Sequence, residues 1–354
     1  MALLDVMVDR LYHRIDEASH AFPQFIYFAD VHYQKGGKND GFDKVLSQIQ
    51  KQEKTETLFV LIGGDMIDAG SEENYSAFIE RCEQFYQDTT SPDKCGIPII
   101  PTMGNHEFYG VKPKNTEIET YKGFMGDVNF PLDIPAEGLG DTLRIVAFND
   151  AMPRKYKKIK MPDIGKGKNC ATKVKDKHLF YFPDAYIHLS KTAPKKYSHF
   201  PEFLKTEANH IIVTSHVPPR KDPLPGMLDS FIENEYTACL KKNPVISLKK
   251  LKDYYRDLWM LVHGHSEATQ NDSTQWFIDT LSTSSKVELV LMGHVHTYYP
   301  FTVPEIDKVQ MVISGGGKGS KTYSSKYPVA NHHYLRVKYD ATTNRFVYEK
   351  VDVL

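Results

Sequence analysis

The chain has 354 residues, of which 41% are hydrophobic and 25% are charged, and its formal net charge at pH 7 is −1. These values are typical of a globular protein with a large core, and they exclude a global electrostatic attraction to nucleic acid or membranes. No C-x-x-C pair occurs among the four cysteines, which are Cys82, Cys95, Cys170 and Cys239. The sequence therefore favours neither a cysteine-ligated metal nor a disulfide framework, and we expect a reducing compartment.

The first residues, MALLDVMVDRLYHRIDEA, mix acidic and apolar residues. They lack the basic start and the continuous apolar run of a signal peptide, and no apolar segment reaches the length that spans a bilayer. We expect a cytoplasmic protein without a membrane span, although export by a route that uses no such signal would leave no trace in the sequence.

Seven short runs of apolar, β-branched and aromatic residues predict strands that are buried on both faces. They lie at residues 25–29, 58–62, 97–101, 143–148, 211–214, 287–292 and 309–314. Helices are predicted at residues 42–52, 72–87, 248–262 and 274–283. This alternation predicts an α/β protein whose helices cover a sheet. The alternating pattern of residues 334–354 predicts a C-terminal hairpin with one face in water.

We expect residues 1–354 to form one domain, because no repeat and no Pro/Gly-rich linker divides the sequence. The segment 152–178 differs in composition, since residues 154–177 hold ten Lys or Arg against two Asp. A solvated insertion loop is one interpretation of this segment, and a site for an anionic partner is the other.

Polar residues follow the ends of five predicted strands. They are Asp30 and His32, Asp65 and Asp68, Asn105 and His106, His216, and finally His294 and His296. Ligands of α/β sheets bind at the carboxyl ends of strands, so these residues should converge on one crevice although they are distant in the sequence. Taken singly, each Asp or Asn could equally be a helix cap or a turn residue.

The residue types in this set indicate a metal site. Imidazoles, carboxylates and an amide oxygen, without a thiolate, suit Mn, Fe or Zn better than a soft metal or Ca. Seven candidate ligands are too many for one tetrahedral ion and suit two ions that share a carboxylate. We expect two divalent or trivalent ions that hold a hydroxide for in-line attack on a phosphoryl group.

The ordered series D-x-H, G-D-x-x-D, G-N-H-E, a lone His after a strand, and G-H-x-H resembles the calcineurin-like metallophosphoesterase superfamily over roughly residues 25–320. The resemblance implies a central β-sandwich flanked by helices, with the metal site at the carboxyl ends of the strands. It implies the following ligands: Asp30, His32 and His296 for one metal, Asn105, His216 and His294 for the other, and Asp65 bridging both.

The same resemblance implies that His106 is the general acid and that Asp68 orients it. This role is chemically sensible, because the leaving oxygen needs a proton and a nearby carboxylate raises the pKa of a histidine.

Some residues depart from the family pattern, and these departures indicate which branch of the superfamily the sequence resembles. Asp68 stands where the purple acid phosphatases have a metal-bound tyrosine, and His32 also departs from them, so that branch is not favoured. GDMID and GNHE are similar to the phosphoprotein phosphatase signature, but Ala69 replaces its phosphate-binding arginine and GHVH is not its usual last motif. Arg220 could supply the missing cation, and Tyr109 and Tyr298 are candidates to line the substrate pocket.

Two further motifs have simpler explanations. His263 and His265 are rivals for the last motif, but they follow a helical stretch and favour a helix C-terminus. Residues 315–319, GGGKG, lack Walker spacing and a following helix, which favours a tight turn beside the site over a phosphate-binding loop.

The sequence therefore predicts a metal-dependent hydrolase of phosphate monoesters, with phosphoprotein as the candidate substrate. The alternative is a phosphodiesterase acting on cyclic nucleotide, nucleic acid or phospholipid headgroup, of which nucleic acid is not favoured. A non-catalytic protein-binding scaffold is the third alternative, and such a protein should have lost ligands or the general acid, all of which are present here.

Overall fold

The structure is a computed structural model. It describes residues 1–17, 24–92, 94–108, 117–136, 141–150, 153–160, 179–186, 199–218, 270–294, 296, 298–318 and 331–353. The helix predicted at residues 248–262 and most of the basic segment 152–178 lie outside these residues.

Six α-helices and thirteen strands lie within the described residues. The helices are α1 (Leu3–Glu17), α2 (Asp40–Gln52), α3 (Glu72–Thr89), α4 (Glu117–Met125), α5 (His199–Leu204) and α6 (Gln270–Ser282). The strands are β1 (Gln24–Phe28), β2 (Thr57–Gly63), β3 (Ile99–Thr102), β4 (Phe130–Ala136), β5 (Asp141–Phe148), β6 (Pro153–Lys160), β7 (Leu179–Tyr186), β8 (His210–Ser215), β9 (Val287–Met292), β10 (Tyr298–Phe301), β11 (Gln310–Ser314), β12 (His333–Asp340) and β13 (Arg345–Asp352).

The strands form two main sheets and a separate pair. One sheet has five strands in the order β13-β12-β1-β2-β3, and the other has six in the order β10-β11-β9-β8-β5-β4. Strands β6 and β7 pair only with each other among the described strands. The predicted fold class, a mixed α/β protein with two sheets flanked by helices, is confirmed. All seven predicted strands are present, with ends that differ by at most two residues.

The alternation of side chains along the six-stranded sheet explains how it packs. Leu289 and Leu291 of β9 belong to the core cluster that contains the five-stranded sheet. Val290 and Met292, on the opposite face, belong to a second cluster that includes Phe277 of α6. Because successive strand residues point to opposite faces, one strand can pack its inner face against the other sheet and bury its outer face under a helix.

Helix α1 was not predicted from the sequence, although its apolar residues recur at helical spacing. Met7, Leu11 and Ile15 are buried. Arg14 is also buried, and its guanidinium donates hydrogen bonds to the carbonyls of Thr57 at 3.0 Å and of Lys54 at 2.9 Å. Of the helices that the structure describes, none has both the length and the apolar character needed to cross a membrane.

The two sheets are joined at the carboxyl end of β1. The amide of Ala29 donates to the carbonyl of Ser314 at the end of β11, with a distance of 3.0 Å. The amide of Gly317 donates back to the carbonyl of Ala29 at 2.9 Å. The loops that follow β1 in one sheet and β11 in the other are therefore neighbours, and Asp30 follows directly in the chain.

The predicted C-terminal hairpin is formed by β12 and β13, and β12 pairs antiparallel with β1. A buried carboxylate anchors it to the end of α2. Glu53, which is 3% exposed, accepts hydrogen bonds from the Tyr334 hydroxyl at 2.8 Å and from Arg336 Nε at 3.0 Å. A second bond comes from Arg336 Nη2.

Replacing Arg336 by Met should therefore destabilise the protein, because Glu53 would stay buried with its strongest donor removed. We expect a loss of about 2 kcal/mol in the free energy of unfolding, less than for a fully buried pair because part of the guanidinium is in solvent. Urea denaturation measures this loss. The control Lys338→Met removes an exposed charge from the same face of β12 and should change stability by less than about 0.5 kcal/mol. Equal losses in both variants would contradict the prediction.

Candidate metal centre

The loops after β1, β2, β3, β8 and β9 bring together the residues that the sequence singled out. Asp30, His32, Asp65 and His296 each offer one ligand atom, and these atoms lie within 4.8 Å of one another. Asp65, His216 and His294 form a second group by the same measure. We name these groups the first cluster and the second cluster.

Nitrogen and oxygen atoms are close in the first cluster. His32 Nε2 and His296 Nε2 are 2.9 Å apart. Asp30 Oδ1 lies 3.4 Å from His296 Nε2, and Asp65 Oδ2 lies 3.6 Å from His32 Nε2. Asp30 and His32 are buried, while the His296 side chain is 25% exposed, so the cluster is open to solvent on one side.

The second cluster is fully buried and gains an amide oxygen. Asn105 Oδ1 lies 3.0 Å from His216 Nε2 and 2.8 Å from His294 Nδ1. Asp65 Oδ1 lies 3.2 Å from the same His216 nitrogen. His216 Nδ1 donates to the carbonyl of Gly63 at 2.8 Å, which directs Nε2 toward the two oxygens.

Asp65 belongs to both clusters, and its two oxygens point in different directions. Oδ2 faces His32 in the first cluster, and Oδ1 faces His216 in the second. Oδ1 also accepts a hydrogen bond from the amide of His106 at 2.8 Å, which helps to fix the carboxylate.

The backbone around the clusters is strained. Four of the candidate ligands have a positive φ, which is uncommon for residues other than glycine: Asp30 (61°), His32 (49°), Asp65 (51°) and His294 (69°). Such strain collects at functional sites, where the surrounding structure holds it in place. Here the loops after β1 and β2 hold each other, because the amide of His32 donates to the carbonyl of Asp65 at 2.9 Å.

Two buried acids that received no role from the sequence support these loops. Glu107 accepts hydrogen bonds from the amides of Met66 at 2.9 Å and of Gly104 at 2.7 Å. Asp150 accepts from the amides of His216 at 3.0 Å and of Val217 at 3.1 Å. Asp150 follows the end of β5, so the same strand-end pattern that selected the other residues could have found it.

The chemistry of the first cluster suits a metal ion. Asp30 Oδ2 is buried and has no hydrogen-bond partner among the described residues, which in a native protein calls for an ion or water. Burial lowers the pKa of His32 to about 4 and that of His296 well below its usual range, so both imidazoles are neutral, as ligands must be. Burial also raises the pKa of Asp30 to about 8.

In the second cluster, His216 faces more hydrogen-bond acceptors than a neutral imidazole can satisfy. His216 Nε2 faces two oxygens, and its other nitrogen already donates a proton. Burial opposes the charged imidazolium, but the carboxylate of Asp65 outweighs it and raises the pKa of His216 to about 10. A proton or a metal ion can satisfy this arrangement, and the donor set fits either.

His106 and Asp68 lie beside the first cluster. His106 Nδ1 donates to the backbone carbonyl of Asp68 at 2.8 Å, and its Nε2 lies 3.9 Å from Asp65 Oδ2. The Asp68 carboxylate lies 3.6 Å from His32 Nδ1, and this contact is the main cause that lowers the pKa of Asp68 to about 2. The same oxygen is 3.6 Å from Lys318 Nζ.

Of the three predicted substrate residues, the structure describes Tyr298. Tyr298 stands at the start of β10, with its ring edge-on to His333 at 5.9 Å and the Lys350 ammonium 5.4 Å from its centre. These contacts are with the C-terminal hairpin. Tyr109, Arg220 and the rival histidines His263 and His265 lie outside the described residues.

A sequence model of the family described as calcineurin-like phosphoesterase matches residues 23–248. A search of curated proteins gave no significant match.

Several solved structures are similar to this chain. GAP50, the anchor in the inner membrane complex of Plasmodium, has 12% identity and a TM-score of 0.48, covering 94% of this chain and 85% of its own. A dimetal phosphatase from Danio rerio has 11% identity and a TM-score of 0.44, covering 94% and 98%. A 5'-nucleotidase from Candida albicans has 12% identity and a TM-score of 0.37, covering 95% and 53%. Similarities of this size say nothing about the activity of this chain.

Gly64 tests whether the positioning of His216 matters for metal binding. Gly64 has a φ of 90°, and a Cβ built on it would lie 2.5 Å from His216 Nδ1 and 2.8 Å from Gly104 Cα. Gly64→Ala should therefore displace His216 and weaken Mn or Zn binding about 10–100-fold, the usual effect of disturbing a ligand's support. Isothermal titration of the metal-stripped protein measures this.

Gly36→Ala is the matched control. Gly36 also has a positive φ, 69°, but a Cβ there would meet nothing within 4 Å. Gly36→Ala therefore introduces the same backbone strain as Gly64→Ala but no steric clash. Equal metal affinities in the two variants would contradict the role given to His216.

Proposed function

The chain belongs to the calcineurin-like phosphoesterase family, and on that premise we propose that it hydrolyses phosphate monoesters with two metal ions. The observation that carries this proposal is the position of Asp65, whose two carboxylate oxygens face different imidazoles, His32 at 3.6 Å and His216 at 3.2 Å. A carboxylate shared in this way is what two neighbouring metal ions require.

We assign the ligands by cluster. Asp30, His32 and His296 would hold one ion, and Asn105, His216 and His294 the other, with Asp65 between them. Nitrogen and oxygen ligands without a thiolate suit Mn, Fe or Zn. When bound, such ions supply Lewis acidity, which neutralises phosphoryl oxygens and makes water a better nucleophile at neutral pH.

His106 is proposed as the general acid. Its Nδ1 is committed to the carbonyl of Asp68, so the ring is fixed with Nε2 toward the clusters. The side chain is 23% exposed. When the ring is doubly protonated, Nδ1 keeps its proton on the Asp68 carbonyl and Nε2 can give the second proton to the leaving oxygen of a substrate that enters from solvent. A fixed donor at this position lowers the barrier most for leaving groups that are strong bases.

The family match ends at residue 248, yet His294 and His296 lie beyond it and belong to the clusters. The hairpin of β12 and β13 pairs with β1, which leads to Asp30. These contacts support our proposal that residues 1–354 form one domain. The isolated pair of β6 and β7 flanks residues 161–178, which supports the interpretation of segment 152–178 as an insertion.

A phosphodiesterase is the alternative. Ala69 replaces a phosphate-binding arginine, so this position offers no positive charge to the second anionic oxygen that a monoester has and a diester lacks. The two activities separate when p-nitrophenyl phosphate and bis(p-nitrophenyl) phosphate are compared on metal-stripped protein resupplied with Mn, Fe or Zn. Preference for the monoester supports the proposal and makes phosphopeptides the next substrates, given the GDMID and GNHE motifs. Preference for the diester contradicts it. The cytoplasmic location and the phosphoprotein substrate stay predictions.

Asp65→Asn should reduce the number of ions bound per chain and reduce hydrolysis to background, because the amide supplies one neutral oxygen in place of a shared carboxylate. Metal analysis after gel filtration and a p-nitrophenyl phosphate assay measure both effects. Asp88→Asn, at an exposed position near the end of α3, is the control and should match wild type. A fully active Asp65→Asn variant would rule out the two-metal assignment.

His106→Ala should lower turnover about 10²–10⁴-fold, the usual contribution of a general acid. The loss should be largest for alkyl phosphates and smallest for p-nitrophenyl phosphate, whose leaving group needs no proton. Bound metal should be unchanged, since His106 is not assigned as a ligand. His13→Ala, at an exposed position of α1, is the control. A loss that is the same for all leaving groups would argue against proton donation by His106.

A further inference from the structure

Lys318 lies in the turn that follows β11, at the side of the first cluster. The preceding residue, Gly317, is held by the hydrogen bond of its amide to the carbonyl of Ala29. A Cβ at Gly317 would lie 2.8 Å from that carbonyl oxygen and 3.1 Å from the carbonyl oxygen of Asp30. Glycine is therefore required for the turn to approach the β1 loop this closely, and the approach brings Lys318 to the centre.

The ammonium of Lys318 is at the solvent side of the centre. Its Nζ lies 3.6 Å from Asp68 Oδ1, and the two side chains are 47% and 42% exposed. The ammonium therefore places a positive charge beside the Asp68 carboxylate, and the same Asp68 oxygen lies 3.6 Å from Nδ1 of His32 in the first cluster.

The fold does not explain this lysine. A separation of 3.6 Å is beyond ordinary hydrogen-bond distance, and an ion pair between two exposed side chains contributes about 0–1 kcal/mol. Lysine is also a flexible point charge that commonly binds phosphate. Its ammonium can leave Asp68 at little cost when a stronger anion arrives.

A phosphate monoester is such an anion, because it carries a charge of about −1.5 to −2 at neutral pH, whereas a diester carries about −1. We propose that Lys318 binds a non-bridging oxygen of the monoester phosphoryl group and thereby makes the centre prefer monoesters. This inference rests on the proposed function and adds a specificity-determining residue to it. Lys318, in the turn after β11, would supply the positive charge that is missing at Ala69 in the loop after β2.

Inorganic phosphate is the direct probe of this role. Isothermal titration of the metal-loaded protein should show about tenfold weaker phosphate binding for Lys318→Met than for wild type, the loss expected for one exposed charge-assisted hydrogen bond. Lys318→Arg keeps the charge and should retain most of the affinity. Lys308→Met, an exposed lysine before β11, is the control and should bind phosphate like wild type. Unchanged affinity in Lys318→Met would overturn the proposal.

The substrate comparison separates specificity from a general effect on the centre. Lys318→Met should lose about tenfold in kcat/KM for p-nitrophenyl phosphate, mostly through KM, and much less for bis(p-nitrophenyl) phosphate. Equal losses on both substrates would mean that the lysine only positions Asp68, and would overturn the specificity role. These results leave the proposed function standing whenever wild type shows metal-dependent hydrolysis of the monoester. Absence of that hydrolysis in wild type would overturn both.

Discussion

Asp65 is buried, has a left-handed backbone and divides its carboxylate between the two clusters. Within the part of the chain that the structure describes, Asp65 is the one residue that belongs to both clusters. If either of its carboxylate oxygens pointed elsewhere, the two clusters would share no ligand. The rest of the centre is arranged around this requirement. The carboxylate of Asp65 accepts the amide of His106, and its backbone carbonyl accepts the amide of His32, so the loops after β1, β2 and β3 are held together at one residue.

Hydrogen bonds from neighbouring residues stabilise the strained backbone of these loops. Left-handed backbone costs of order 1 kcal/mol or more per non-glycine residue, so it persists only where other contacts determine it. Glu107 supplies such contacts beside Asp65, since its buried carboxylate accepts the amides of Met66, Ile67 and Gly104. Asp150 holds the loop after β8 in the same way, by accepting the amides of His216 and Val217. Burial raises the pKa of each acid to about 7. Burying these two carboxyl groups is unfavourable, but their hydrogen bonds to backbone amides fix the loops that carry the ligands.

The strands and most cluster residues could be predicted because both follow from local pattern. A strand buried on both faces is largely apolar, and a polar residue directly after it, such as Asp30 or His216, is conspicuous. The division into two sheets was not predictable in this way, because it depends on pairings between distant strands, such as β1 with β12. Glu107 was visible in its motif, but its function as an amide acceptor depends on Met66 and Ile67, about 40 residues earlier in the chain, which only the fold brings to it.

The clusters also differ electrostatically, and the difference follows from burial and neighbours. In the first cluster His32 and His296 are neutral because burial dominates. In the second, Asp65 outweighs burial and favours a charged His216. A cation bound at the second cluster would therefore have to displace a proton from His216, and one bound at the first would have to displace the proton that burial favours on Asp30, whose pKa is raised to about 8. Metal binding at both clusters should therefore weaken as the pH falls, because the competing proton sits on a carboxyl group in the first cluster and on an imidazole in the second.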